Sequence, residues 1–402
     1  MEKTFNLIIQ DNPFHSEFQI RDVLEHKSKN VHNIKVRNLD DVNKFPNENF
    51  FYIVYKTEYL QFQHDTTLIS RIPISIKEAL KLNFNFKIIF LELNESDFED
   101  TIEFVDLKIK EEGINHKQVF YINANHKIGQ LKNKCKTDLN VYTINHGQYF
   151  NCERLTLTQP EMDLNKESLF MLHNRNVKSH RLGLLCLLKK NNLLDYMDWS
   201  LLKGSDLNRM FMDNNGNVVE WFFPKVFKNE YVIDIKNEIK YFIELGDKKS
   251  IYESEIDFTS NGYRYDYNDA YKSKCYPKSY INITTETNYE SPYIVHITEK
   301  TFNPFNFYQI PIFVATYQHV RYLRELYGFD MFDDLVNHSY DDEIDNGKRL
   351  FMIVDEIKRL NENPQIVKDF YIKNKDRFFK NKEIFFEIMN DKKDYNFFQN
   401  LI

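Results

Sequence analysis

Short apolar runs rich in β-branched and aromatic residues recur through the first 150 residues, at Phe5–Ile9, Phe50–Tyr55, Lys87–Leu93, Gln118–Asn123 and Val141–Ile144. Each has strand length and is followed by polar or turn-forming residues. Between them lie longer polar-patterned stretches, such as Ile74–Leu82 and Asp97–Lys110, with apolar residues at helical spacing. Strands alternating with helices predict a parallel sheet covered on both faces, so residues 1–160 read as one Rossmann-like α/β domain. The polar segment Leu155–Lys166 reads as a connection, after which the pattern restarts. Ser168–Leu172 reads as a strand, and Ser179–Leu194 as an amphipathic helix with Leu182, Leu185, Cys186 and Leu188 in its apolar set. Strands at Tyr280–Thr284 and Ile310–Ala315 and helices at Glu299–Tyr308 and Tyr317–Tyr327 follow, then a charged helical tail from Ile344. Residues 161–402 therefore read as a second Rossmann-like domain with C-terminal helices.

Composition agrees with two cores. The chain has 402 residues, too many for one ordinary core, and 42% are hydrophobic and 15% aromatic, which excludes a disordered chain. Phe (35) and Tyr (25) are abundant and Gly (10) is scarce, a skew that AT-rich codons produce and that fits a viral, phage or low-GC bacterial source. The net charge of −7 argues against a protein that grips duplex DNA mainly through phosphates. Lys127, Lys132, Lys134 and Lys136 nonetheless form a local basic stretch. The four cysteines, Cys135, Cys152, Cys186 and Cys275, have no zinc-site spacing and read as free thiols in a reducing compartment. The N-terminal apolar run is too short for a signal peptide and no stretch suits a membrane span. The expected location is the cytoplasm, or the host cytoplasm for a viral protein.

Two such domains make a cleft the default ligand site. The chain carries neither G-x-G-x-x-G nor a Walker A loop, which removes nicotinamide and ATP readings. A bound diphosphate must then rely on side-chain cations and a helix N-terminus. The stretch Tyr280–Ala315 offers both. Glu286 lies just past a strand, Thr298 reads as an N-cap, and Glu299 and Lys300 fall in the first helical turn. A cation and free N–H groups, beside an acid able to grip ribose hydroxyls, form a nucleotide diphosphate site. A second constellation, His173-Asn174-Arg175 followed by Lys178, His180 and Arg181, comes just after the strand that opens the second domain. There Arg175 can hold a phosphate bidentately, while Arg181, inside the next helix, reads as structural.

The run Glu286-Thr287-Asn288, then Thr298-Glu299-Lys300, then Pro311-Ile312-Phe313-Val314 resembles the donor-binding region of the α-1,3-fucosyltransferases, with their F-E-N-S, T-E-K and V-P-V-V. The same block, with Arg321–Leu360 downstream and the Asn174-Arg175 pair upstream, is similar to phage- and virus-borne glycosyltransferase-like proteins. The resemblance covers roughly residues 168–360. It departs from the fucosyltransferases in Thr301-Phe302-Asn303-Pro304-Phe305 and in Gln309-Ile310, which leaves nucleotide and sugar open.

The resemblance implies a GT-B fold, two Rossmann-like domains facing across a cleft, and a nucleotide-sugar donor held by His173, Asn174, Arg175, Glu286, Thr298, Glu299 and Lys300. No Asp-x-Asp is present, so the expected mechanism uses no metal and no cofactor beyond the nucleotide-diphosphate sugar. Asp341-Asp342-Glu343 reads as the first turn of the following helix. Lys300 is the expected catalytic cation on the leaving group. An inverting transfer also needs a base, for which Asp11, His146 and His64-Asp65 qualify. The acceptor is a saccharide or a hydroxylated base in DNA. Two other readings are a noncatalytic nucleic-acid-binding protein using Lys127–Lys136 with Tyr142 and Tyr149 for stacking, and a virion structural protein.

Overall fold

The computed structural model describes residues 4–8, 34–56, 72–92, 99–143, 160–174, 177–201, 235–248, 250 and 275–390. They fall into two units, the first drawing on the first 150 positions, on Tyr293–Ile297 and on the chain from Asn390, the second on Asn151–Pro292 and Thr298–Met389. The division thus falls ten residues before the expected boundary, and a later five-residue segment returns to the first unit.

The first unit holds six parallel strands in the order β2-β1-β3-β4-β5-β6. These are β1 (Phe5–Ile8), β2 (Ile34–Arg37), β3 (Phe50–Lys56), β4 (Phe86–Glu92), β5 (Val119–Asn123) and β6 (Asn140–Thr143). The helices between them are α1 (Leu39–Lys44), α2 (Ile74–Leu82), α3 (Glu99–Glu111) and α4 (Ile128–Cys135). Phe50 to Val54 are without solvent exposure, because a central parallel strand is buried on both faces and so needs a continuous apolar run. The buried Gln118 amide nitrogen lies 2.7–2.8 Å from the carbonyls of Leu80, Asn83 and Phe86 and closes the turn between α2 and β4. Tyr293–Ile297 is fastened by Asn125, whose side chain donates to Tyr293 O (3.0 Å) and accepts from Val295 N (2.9 Å).

The second unit holds four parallel strands in the order β10-β9-β7-β8: β7 (Ser168–Asn174), β8 (Met197–Leu201), β9 (Ser279–Thr285) and β10 (Ile310–Val314). Its helices are α5 (Ser179–Lys190), α6 (Lys236–Leu245), α7 (Glu299–Asn306), α8 (His319–Tyr322, continued by a wide turn over Leu323–Tyr327), α9 (Asn346–Glu362), α10 (Pro364–Lys373) and α11 (Lys375–Asn390). Cross-strand register puts Leu172, Trp199 and Ile283 on one face, and His173, Ser200 and Thr284 on the other. The first face is apolar and meets the layer of α5, α6 and α9, with Trp199 edge-on to Phe242. The second face is polar and lies under α7 and α10.

Two expectations change here. Helix α5 is not amphipathic: Ser179 through Leu188 are all buried, because the helix is enclosed rather than lying on the surface. Asp341 does not open the charged helix, which Asp345 caps through Lys348 N (2.9 Å). Asp341 instead accepts from Val320 N and Arg321 N, both at 2.9 Å, and burial pushes its carboxyl up to about 6.

Candidate functional site

Chain order in the second sheet reverses at β7. The chain runs from β7 to β8 on one side and then to β9 on the other. In open parallel sheets ligands bind outside the carboxyl ends of the strands at such a reversal. Here those ends are Asn174 and Thr285, which lie side by side, Thr285 Oγ1 donating to Asn174 Oδ1 at 2.7 Å. The Asn174 amide nitrogen has no partner among the described residues, although the residue is 1% exposed.

The loop leaving β9 is held by the first turn of α5. Lys178 Nζ donates to Thr287 O (3.2 Å) and Ser179 Oγ to Glu290 Oε1 (3.1 Å). Arg181 Nη2 donates to the carbonyls of Thr285 (3.1 Å) and Glu286 (3.3 Å). His180 Nε2 lies 2.9 Å from Glu286 O, so that nitrogen carries the proton. Burial first, then the positive Arg181 and Lys178, hold its pKa well below the ordinary histidine value, and the ring is neutral. His180 also stacks on Tyr289 (5.0 Å, 11°), over which the Arg349 guanidinium sits at 4.4 Å. Arg349, 1% exposed, bonds Glu343 O, Tyr289 O and Asn346 Oδ1. Lys178, His180 and Arg181 therefore grip protein carbonyls and fix the loop.

Thr298 caps α7, its hydroxyl accepting from Lys300 N at 3.2 Å. Of the expected free N–H groups of that turn, those of Thr298, Lys300 and Thr301 are taken. Thr298 N donates to Glu286 Oε1 (3.4 Å), Lys300 N to Thr298 Oγ1 (3.2 Å), and Thr301 N to Thr298 O (3.2 Å). The Glu286 carboxylate, on a residue 1% exposed, accepts from the hydroxyls of Thr298 (3.0 and 2.8 Å) and Thr301. It thus fills the anion place at the helix N-terminus, and its oxygens are engaged by the protein. Beyond it, Glu299 and Lys300 pair at 3.0 Å with side chains 20% and 31% exposed.

His173 lies on the polar face and meets Asp198 at 2.8 Å, edge-on to the Tyr276 ring. Next to it Asn282, Thr284 and Gln309 form a closed chain: Thr284 Oγ1 to Asn282 Oδ1 (3.0 Å), Asn282 Nδ2 to Gln309 Oε1 (2.9 Å), Gln309 Nε2 to Ser279 O (3.1 Å). The second unit thus brings together His173, Asn174, Glu286, Thr298, Glu299 and Lys300. Arg175, Asp11, His146, His64, Asp65 and Tyr149 lie outside the described residues. Sequence reasoning missed Thr301, Asp198 and His319; only Thr301, directly after Thr298-Glu299-Lys300, carried a local signal.

The basic stretch does not form one exposed face. Lys127 is 1% exposed, its backbone closing a turn with Asn125, and Lys134 lies over the Tyr293 ring at 4.1 Å. Tyr142 stacks on Phe120 at 6.0 Å rather than standing alone as a base platform. No helix among the described residues is long and apolar enough to cross a membrane.

No family model matches the sequence, and no curated protein matches it. Among solved structures, the chain is similar to the DNA modifying enzyme β-glucosyltransferase, solved with and without uridine diphosphoglucose. That alignment has 11% identity, covers 99% of each chain and has a TM-score of 0.39. It is also similar to T4 phage BGT in complex with its UDP-glucose substrate, at 11% identity, 100% and 99% coverage and a TM-score of 0.35. Both scores are low, and the α/β fold of two parallel-sheet units stands on this chain's own strands and helices.

Proposed function

We propose that the chain is a GT-B glycosyltransferase that moves a sugar from a nucleotide-diphosphate donor to a hydroxyl of a saccharide, with inversion and without a metal. One observation carries this reading. The two blocks singled out in the sequence, His173-Asn174 and Glu286 with Thr298–Lys300, converge on the carboxyl ends of β7 and β9, where the sheet reverses. The resemblance of the second block to the α-1,3-fucosyltransferase donor region supports the same placement.

In this reading Lys300 stabilises the charge that develops on the leaving diphosphate, a contribution on the order of several kcal/mol per preorganised group. Arg175 holds a phosphate oxygen pair, and Glu299 takes ribose hydroxyls. Asn174 donates its open amide to the donor, while His173, Glu286 and Thr298 shape the wall. Asp11 or His146 removes the acceptor proton.

The test has two stages. UDP or GDP should raise the melting temperature without added divalent metal, since a ligand of the folded state must stabilise it. Stabilisation that appears only with Mn²⁺ or Mg²⁺ rejects the metal-free mechanism, and none with any nucleotide rejects the donor site. Radiolabelled sugar transfer to a panel of glycans, beside hydroxymethylated and unmodified duplex DNA, then identifies the acceptor. Label in glycans supports the reading stated here; label confined to hydroxymethylated DNA replaces the saccharide with a base hydroxyl.

A further inference from the structure

The buried carboxylate of Glu286 has its oxygens engaged by the Thr298 and Thr301 hydroxyls, beside the Lys300 side chain. We propose that Glu286 is a positioning residue that aims the Lys300 ammonium through the Thr298 hydroxyl. The inference rests on the reading that Lys300 faces the donor diphosphate.

Proton counting fixes the direction of the relay. A threonine hydroxyl has one proton and two lone pairs, an ionised carboxylate only accepts, and an ammonium only donates. Thr298 Oγ1 lies 3.0 and 2.8 Å from the two Glu286 oxygens, so its proton goes there. Its lone pairs then face Lys300, whose backbone N is 3.2 Å and Nζ 3.3 Å away. A second hydroxyl, that of Thr301, donates to the same carboxylate and is within 3.1 Å of His319 Nε2. The backbone of Glu286 is fixed as well, its N–H donating to Val314 O (3.0 Å) and its carbonyl held by His180 and Arg181.

The carboxylate is therefore a rigid acceptor, and the hydroxyl between it and Lys300 is polarised toward it. Lys300 keeps its side chain 31% exposed, tethered at Thr298 and flanked by Glu299 at 3.0 Å. A lysine ordered before the ligand arrives spares the ordering cost that a free side chain meets on binding.

Glu286→Gln keeps the shape and weakens the relay. One of the two oxygens facing Thr298 becomes an amide nitrogen that donates to the hydroxyl, and the neutral oxygen that remains polarises it less toward itself. Side-chain relaxation of the Lys300 ε-methylene in the nucleotide-free protein reads the relay by itself: ordered in the wild type, mobile in Glu286→Gln and in the near-isosteric Thr298→Val. With UDP and GDP as calorimetric probes, each variant should lose about tenfold in affinity, and Glu286→Gln in a Lys300→Ala background less than about twofold more. Unchanged Lys300 order in both variants overturns the proposal, as does a loss that adds in full to that of Lys300→Ala. Failure of UDP and GDP to bind the wild type overturns the functional reading instead, whatever the relaxation data show.

Discussion

The two faces of the second sheet share four strands and bury different chemistry. On one, Phe170, Leu172, Ile281, Ile283, Ile310 and Ile312 present hydrocarbon to the helix layer above, each at most 1% exposed. On the other, Asp198, Ser200, Asn282 and Thr284 are buried to within 5%. Apolar burial is favourable by about 25 cal/mol per Å², whereas a buried polar group costs free energy unless it is bonded. The first face therefore supplies stability. The second gives up some of it and gains direction, since hydrogen bonds fix orientations that dispersion does not. Glu286, which follows β9 on the polar side, carries that direction to α7.

The sharpest test uses neighbouring residues on opposite faces. Ile283→Ala should cost about 2–5 kcal/mol in chemical denaturation, the range for removing buried aliphatic groups. Thr284→Val loses only the bond to Asn282 and should cost about 1 kcal/mol. Equal losses would erase the distinction between the faces. Next in size, Lys300→Ala should lower sugar-transfer turnover roughly 10²-fold while leaving the denaturation midpoint near wild type. Glu299→Ala should chiefly weaken nucleotide binding. A stability loss in Lys300→Ala comparable to that of Ile283→Ala would mean that α7 holds the fold rather than the ligand.

The same contrast explains what could be read in advance. Strands β3 and β4 were legible because burial on both faces leaves an apolar run, and β9 because Tyr280, Ile281 and Ile283 keep aromatic and β-branched residues among its polar ones. Strand β8, Met-Asp-Trp-Ser-Leu, was missed because its polar-face residues are Asp198 and Ser200, so a fully buried strand carries polar residues at every second position. The edge strand β2 was missed for a different reason: Lys35 and Val36 are exposed, and pairing on one side leaves little apolar demand. At the site, the Thr298 cap was legible because it is local. The bonds of Glu286 to Thr298 and Thr301 span 12 and 15 residues and exist only once β9 and α7 are packed together. That is why free N–H groups were expected where the protein supplies its own anion.

The latch over the β9 loop should contribute less than the apolar face and more than a surface contact. Arg349→Met keeps the aliphatic volume but leaves the carbonyls of Tyr289 and Glu343 without their donor, for a cost of about 1–3 kcal/mol. Because the loop ends near Asn174, nucleotide affinity should fall with it. Full affinity in a destabilised Arg349→Met would separate the latch from the site.

A further effect is one of pH, and it belongs to the polar side. Lys166 Nζ lies 3.2 Å from Pro277 O and 3.4 Å from Phe307 O, over the Tyr371 ring at 5.1 Å, and burial lowers its pKa to about 7. Lys382, donating to Pro160 O at 3.3 Å, is lowered to about 8 by the same cause. An unfolded lysine titrates near 10.4. Between about pH 7 and pH 10 the unfolded chain therefore binds more protons than the folded one, and stability rises with pH across that window. Below pH 7 both states are charged and the slope vanishes. Above pH 10 the sign turns, because burial raises the pKa of Tyr276, Tyr289, Tyr340 and Tyr371, so the unfolded chain loses their protons first. Chemical denaturation of the wild type should give a midpoint that climbs from pH 7 to pH 9.5 and falls beyond pH 10. Lys166→Met removes the group with the longer window, so its climb should be markedly shallower. A variant whose midpoint climbs as steeply as the wild type would show that the Lys166 ammonium is solvated in the folded protein, and that the polar side of the sheet holds no buried charge there.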